Sequence, residues 1–388
     1  MTTPTFSEEF ITRINQNVFY REFTFDRSEI ITDQNNRIEL ADNILWIDDM
    51  LIVFQIKERN ELNSKGQSNI KNWFTNKVLK KAKDQIKNTN TWIRAQHSID
   101  LKNRDEQVIT MHPEDVDNII NIIIYHVDVP LPDSFVPDIK YKTQDGLFIH
   151  ILSSEDYYHI CRYLITPAEL SDYLKFREDL LSYYPQSPFT EQYILAHYFH
   201  NSNDLKMNVS YIDDLEEICT RIEINDNKFN LFPFLDMFRD TVVRTDDNLE
   251  YIAIVKELAK LNRQEILWFK QRLLEVINCQ NPDPCEIKPL YLERTECAII
   301  IMKPRADGYV FWENILRNNT EDYKYAKHAA KGLGVIVMHD GNDIILNWCL
   351  DYTSWKYNAE LEETSKMLTS LLKSRRVQEK PIYELLMK

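Results

Sequence analysis

The chain has 388 residues, 44% hydrophobic and 12% aromatic, enough for two or three domains of about 100–200 residues each. A net charge of −15 argues against a nucleic-acid coat that is basic overall, while leaving room for an enzyme that is basic only where it meets phosphate. Only six glycines are present and neither GxxxxGK[ST] nor GxGxxG occurs, which disfavours P-loop and Rossmann nucleotide sites.

From the N-terminus, MTTPTFSEEF has neither a basic segment nor an apolar core and is not a secretory signal. The spacing predicts a helix over Ser7–Asn17 with Ser7 as N-cap and Glu8 and Glu9 at its positive end. Val18–Phe25 alternates as a strand, and Gln34-Asn35-Asn36 is a turn. Glu39–Arg59 then reads as a β-hairpin, with apolar runs at Ile44–Ile47 and Leu51–Gln55 separated by Asp48-Asp49-Met50. If Asp49 and Met50 form the loop, Asp48 faces Leu51 and Asp42 faces Lys57. Alternation along the strand puts Gln55 and Lys57 on one face, and this register brings Asp42 to that face. A one-residue slip would send Asp42 to the other side. Glu39, just upstream, could add a second carboxylate. The plainer alternative has Asp42 capping a strand and Lys57 in a surface ion pair.

Asn60–Ser68 is a polar loop, and Ile70–Asn88 follows as an amphipathic helix. Lys65, Lys71, Lys77, Lys80, Lys81, Lys83 and Lys87 stand there against the single acid Asp84. That reversal of the chain's charge is read either as a solvated face or as a phosphate-binding surface. Asn118–Asp128 is a near-continuous apolar run rich in Ile, expected as a central strand buried on both faces and too short for the ~20 residues of a membrane span. Gly146–Leu152 is a further strand.

Thr166-Pro167-Ala168-Glu169 opens a helix with a capping box. Residues 186–275 read as mainly helical, with Pro188 and Pro233 as breakers and a loop at Asp246-Asp247-Asn248. One or two long helices span Leu249–Asn278. Asn281-Pro282-Asp283-Pro284 is a linker. Beyond it come a strand at Glu296–Met302, a helix capped by Thr320 and stopped by Gly332 and Gly334, and a hairpin of Val335–His339 and Asp343–Cys349. The tail from Ala359 reads as helical, with a basic cluster at Lys373, Arg375, Arg376 and Lys380. These elements divide the chain into 1–165, 166–280 and 281–388, and make the fold mixed α/β with a mixed-sheet core at the N-terminus. The six cysteines include no CxxC pair and fit reduced thiols in a cytoplasmic protein. His197 and His200, with Asp204 nearby, could form a metal pair but are better read as a half-buried face. His339-Asp340 is better read as a turn-flanking pair than as acid–base machinery.

Asp at the head of one strand and Gln-x-Lys in the next resembles the PD-(D/E)xK nuclease superfamily, in particular the Mrr-like branch in which Gln replaces the third-strand acid. The resemblance covers about residues 1–130, including the αβββα order and the helix that carries Lys80, Lys81 and Gln85. Ala41 stands where the superfamily pattern has proline. The resemblance implies a metal-dependent nuclease acting on DNA rather than RNA with Mg²⁺ or Mn²⁺, of the kind used in bacterial restriction or anti-phage defence. Hard cations take oxygen ligands, here Asp42, Gln55, the backbone carbonyl of Ile56 and, as an auxiliary, Glu39. Lys57 would position the attacking water or stabilise charge on the phosphate. Lys71, Lys77, Lys80, Lys81 and Gln85 would contact nucleic acid. A homo-oligomer or a partner defence protein is expected and a membrane is not. The competing expectation is an inactive nuclease fold that binds nucleic acid or another protein.

Overall fold

The structure, a computed structural model, describes residues 4–26, 29–31, 37–59, 70–231, 235, 238, 250–283, 285–341, 343–371 and 380–387. The expected loops at 60–68 and 246–248, the breaker Pro233 and the basic cluster at 373–376 lie outside these residues. The chain forms two units, 1–224 together with 381–388, and 225–380. Residues 166–224, assigned by sequence to a separate helical section, belong to the first unit. Among the described residues no helix is long and apolar enough to cross a membrane.

In the first unit, helix α1 (Phe6–Val18) precedes a six-stranded sheet and runs one residue past the expected Asn17. Its cap is Thr5 rather than Ser7: Thr5 Oγ1 accepts from Glu8 N–H at 3.2 Å, and Glu8 Oε2 accepts from Thr5 N–H at 2.9 Å. Strand β1 shrinks to Thr24–Asp26 because α1 and a 3₁₀ turn take up Val18 and Arg21–Phe23. A small two-stranded sheet, β2 (Glu29–Ile31) with β3 (Arg37–Glu39), leads to the hairpin β4 (Asn43–Ile47) and β5 (Met50–Arg59).

One helix, α2, then runs through Ile70–Trp73, Phe74–Ala82 and Lys83–Ala95, and its middle section is π-helical. Its buried residues Phe74, Val78, Ala82 and Ile86 stand four apart. At about 3.6 residues per turn such a row drifts around the helix, and a wider turn brings it back onto one face. A second small hairpin, β6 (Ile99–Lys102) and β7 (Val108–Met111), was not anticipated. β8 (Asn118–Val127), β9 (Lys140–Lys142) and β10 (Phe148–Ser153) complete the large sheet, in the order β1-β4-β5-β8-β10-β9. β8 is parallel to both β5 and β10, with α2 as the crossover from β5 to β8. Its Ile run is explained by its place: α2 covers one face through Ile123 and Tyr125, while α1 and α3 (Ser154–Tyr163) cover the other.

Helices α4 (Pro167–Tyr183) and α5 (Glu191–Asn201) join this unit through a buried charge cluster. Arg177, fully buried, donates to both Glu191 oxygens from Nε at 2.9 and 3.0 Å. It also donates to Ile139 O at 3.1 Å and to His150 Nδ1 at 3.1 Å. Burial and the Arg177 charge hold His150 well below the ordinary histidine range, so it stays neutral and can accept that bond. Tyr173 OH also donates to Glu191. Helix α6 (Leu215–Ile224) follows, and the final helix, α12 (Ile382–Met387), returns to the unit: Arg221 donates to Leu386 O at 3.2 Å and Tyr383 stacks on His200.

The second unit holds α7 (Asp226–Phe229), α8 (Glu250–Ala259), α9 (Arg263–Asn278) and a sheet of β11 (Cys285–Leu292), β12 (Cys297–Pro304), β13 (Lys331–Asp340) and β14 (Asp343–Asp351) in that order. Helix α10 (Trp312–Lys327) crosses between the parallel pair β12 and β13, and α11 (Ala359–Leu371) packs beside it. Two expectations are corrected here. Thr320 is a buried residue in the middle of α10 and caps nothing. The helix stops at His328, which takes the left-handed conformation at φ 52. Gly332 and Gly334 lie inside β13, where a Cβ on Gly334 would fall 2.0 Å from Thr320 Oγ1, so this glycine permits helix and strand to touch.

The Arg177–Glu191 pair yields a direct test. Glu191→Ala leaves a fully buried guanidinium without its counter-charge and should destabilise the first unit by about 3–5 kcal/mol, read from urea denaturation. A loss under about 1 kcal/mol would mean that the cluster contributes little.

Candidate functional site

The site begins where β4 parts from β5. Their register pairs Ile47 with Met50 and Asn43 with Phe54, and Asp42 N–H donates to Phe54 O at 3.2 Å. The turn is therefore Asp48-Asp49, with Asp48 at φ 50, and Asp42 lies opposite Gln55 rather than Lys57. The shift is two residues, so every side chain keeps its expected face.

Beyond Asp42 the first strand leaves the ladder. The backbone of Ile56, which would have paired with it, finds side chains instead. Asp42 Oδ2 accepts from Ile56 N–H at 2.5 Å, and Lys57 Nζ donates to Ile56 O at 2.8 Å. The same ammonium lies 3.2 Å from Asp42 Oδ2 and 3.2 Å from Gln55 Oε1. One cation thus gathers a carboxylate, a carboxamide and a backbone carbonyl oxygen. Gln55 is only 2% exposed, and the side chains of Lys57 and Asp42 are 14% and 12% exposed, so this is no surface ion pair.

The neighbouring elements fix the divergence. On one face of the sheet Asn43 is buried: Asn15 Nδ2 donates to Asn43 Oδ1 at 2.8 Å, Asn43 Nδ2 donates to Thr12 Oγ1 at 3.2 Å, and Tyr157 OH donates to Asn15 Oδ1 at 2.6 Å. On the other face Thr89 of α2 donates to Leu40 O. Glu58 accepts from Ser7 N–H at 2.6 Å, a carboxylate at a helix N-terminus. No periodicity marks Asn15, Asn43, Glu58 or Thr89 as partners. The visible signal is a polar residue inside an otherwise apolar pattern.

The remaining expected residues divide. Glu39 is exposed, ends β3, and lies opposite Glu29 in a separate sheet. Lys71, Lys77, Lys80 and Lys81 are exposed on α2. Lys83 instead lies over the Tyr141 ring, 4.6 Å from its centroid. Phe74, in the same stretch of helix, packs on Tyr125, the β8 residue in register with Lys57, so the basic stretch lies at the Lys57 end of the sheet. Gln85 lies one turn before Thr89, on the stripe that borders the Leu40–Asp42 segment, and its Oε1 is buried without a hydrogen-bond partner.

The histidine pair is structural. His197 Nε2 lies 2.6 Å from Asp204 O, its Nδ1 accepts from Asn208 N–H at 3.2 Å, and its ring stacks on Phe176. His200 is held between the rings of Tyr211 and Tyr383, and burial pushes it below the ordinary histidine range. Asp340 lies at the end of β13, opposite Asp343, and Tyr309 OH accepts from His339 N–H at 3.2 Å. Among the described residues no three His, Cys, Asp or Glu gather as a metal-binding group, and the oxygens around Lys57 include a single carboxylate. All six thiols are free.

Compared with protein-family models, with curated proteins and with solved structures, the chain matches none.

A double-mutant cycle tests the cluster. Asp42→Asn and Lys57→Met each remove one charge while keeping much of the shape. Their coupling free energy should be about 1–2 kcal/mol by urea denaturation, whereas an exposed ion pair would give about 0.2–1 kcal/mol.

Proposed function

We propose that the first unit is a metal-dependent nuclease of the PD-(D/E)xK kind, with a D…QxK site that hydrolyses phosphodiester bonds in DNA. The observation that carries this reading is the convergence of Asp42 Oδ2, Gln55 Oε1 and Ile56 O around one positive charge, that of Lys57. A set of hard oxygens with one carboxylate fits Mg²⁺ or Mn²⁺, which take oxygen ligands and keep several waters. Asp42, Gln55 and the Ile56 carbonyl would hold the cation. When bound, it would polarise a phosphoryl oxygen and lower the pKa of a water.

The chain's own groups have separate tasks in this reading. The Ile56 N–H orients the Asp42 carboxylate. Burial fixes the Gln55 amide in one direction. Lys57 supplies the positive charge of the set: its ammonium orients the attacking water or stabilises charge on the phosphate. Lys71, Lys77, Lys80 and Lys81 offer exposed positive charge to the DNA backbone, in a chain whose overall net charge is −15. The order helix, strand, hairpin, helix, strand, with the last strand parallel to β5, supports the same assignment. A role in restriction or anti-phage defence, in the cytoplasm, with further copies or a partner protein, is the setting we infer for such an enzyme.

Plasmid DNA incubated with Mg²⁺ or Mn²⁺ should be cut by the wild-type chain, and Asp42→Ala and Lys57→Ala should each lower the rate at least ~100-fold. Absence of cleavage with any metal, or variants as active as wild type, would leave a nuclease fold that only binds. Binding is tested separately. Replacing Lys77, Lys80 and Lys81 by Ala should lower the slope of log K against log salt by about 2–3, close to one for each phosphate that is no longer neutralised. An unchanged slope would move the DNA surface elsewhere.

A further inference from the structure

The two large sheets have four edge strands, and three of them are protected against pairing with another chain. β1 and β9 are three residues long, and β9 is Lys-Tyr-Lys. β11 carries Lys288 and Pro289 in its middle. β14 has none of these devices. It reads DIILNWCLD, nine residues without Lys, Arg, Pro or Gly, and it follows β13 in unbroken register from Gly332↔Asp351 to Asp340↔Asp343. Among the described residues, no strand pairs with its outer edge. Its neighbours Ile344 and Ile345 point to opposite faces and are 46% and 40% exposed.

The strand is also complementary to itself. Laid antiparallel on a second copy about Asn347, it sets Leu346 against Trp348, Ile345 against Cys349 and Ile344 against Leu350 of the second copy, apolar against apolar on both faces. The two Asn347 amides meet on the axis. Only the ends bring acids together, Asp343 against Asp351. There Lys324 supplies the counter-charge, its Nζ 3.0 Å from Asp351 Oδ2. Self-complementarity about one residue is what a two-fold, isologous contact requires.

We propose that β14 is the dimer interface of this protein: two copies pair antiparallel through β14, on a two-fold axis at Asn347, and join their four-stranded sheets into one. The pairing is independent of the nuclease assignment, and its test involves no DNA. Sedimentation velocity of the full chain at micromolar concentration should show a dimer, and Ile345→Lys should give a monomer with unchanged far-UV circular dichroism. Opposed residues of an antiparallel pair have Cα atoms about 4.5–5.5 Å apart, within the range of about 4.4–6.8 Å that a disulfide spans. Asn347→Cys should therefore form a covalent dimer under mild oxidation, while wild type and Lys288→Cys, on the opposite edge, should not. If Ile345→Lys does not fold, the Asn347→Cys cross-link decides alone. A monomeric wild type, or Asn347→Cys that cross-links no better than Lys288→Cys, would overturn the proposal.

Discussion

The first unit depends on a constraint of backbone hydrogen bonding: a strand that loses its neighbour must satisfy its N–H and C=O groups in another way. At Ile56 that happens in a space of two residues. Asp42 reaches across to the N–H, and Lys57 folds back onto the C=O. Alternation along β5 brings Gln55 to the same side as Lys57, and its oxygen completes the ring around the ammonium. The chemistry of the cluster is therefore inseparable from the point at which β4 and β5 separate. Moving that point by one residue would satisfy Ile56 with ordinary strand pairing and leave no cluster.

Neighbouring elements on both faces of the sheet hold that point in place. Asn43, the first residue of β4, is buried among Asn15, Thr12 and Tyr157, so the strand cannot begin elsewhere without stranding amides in an apolar layer. Thr89 of α2 holds the carbonyl of Leu40 just upstream. The helix that anchors the departing segment also carries the exposed lysines, which ties the direction of the basic face to the geometry of the cluster.

Much of this was legible in the sequence because it follows from periodicity. The hairpin, the Ile-rich central strand, the amphipathic helix and the face shared by Asp42, Gln55 and Lys57 all come from repeats of two or about 3.6 residues. The face survived a misjudged turn because the error was an even number of residues. What periodicity does not carry was missed. Thr5 and Ser7 are equally good caps by composition, and only the reciprocal bond to Glu8 selects Thr5. Gly332 and Gly334 look like helix stops but answer to the closeness of α10, a tertiary fact. The division at residue 165 follows a change in local pattern, whereas Arg177 joins the two sides through its bonds to Ile139 and His150. Glu39 is close to Asp42 along the chain, yet it belongs to a different small sheet.

The first unit is discontinuous: α12 returns to it after a second unit of roughly 150 residues that begins and ends beside it in sequence. For a flexible loop of that length, closing the ends costs entropy that grows with the logarithm of the number of free residues, about 0.6 kcal/mol per doubling. Folding of the second unit removes most of those residues from the loop and so lowers the cost of closure. The stacking of Tyr383 on His200, and the bond from Arg221 to Leu386, then form at a lower entropic cost when the middle of the chain is compact. The docking of the last helix is thus coupled through chain entropy to the folding of the unit inserted before it.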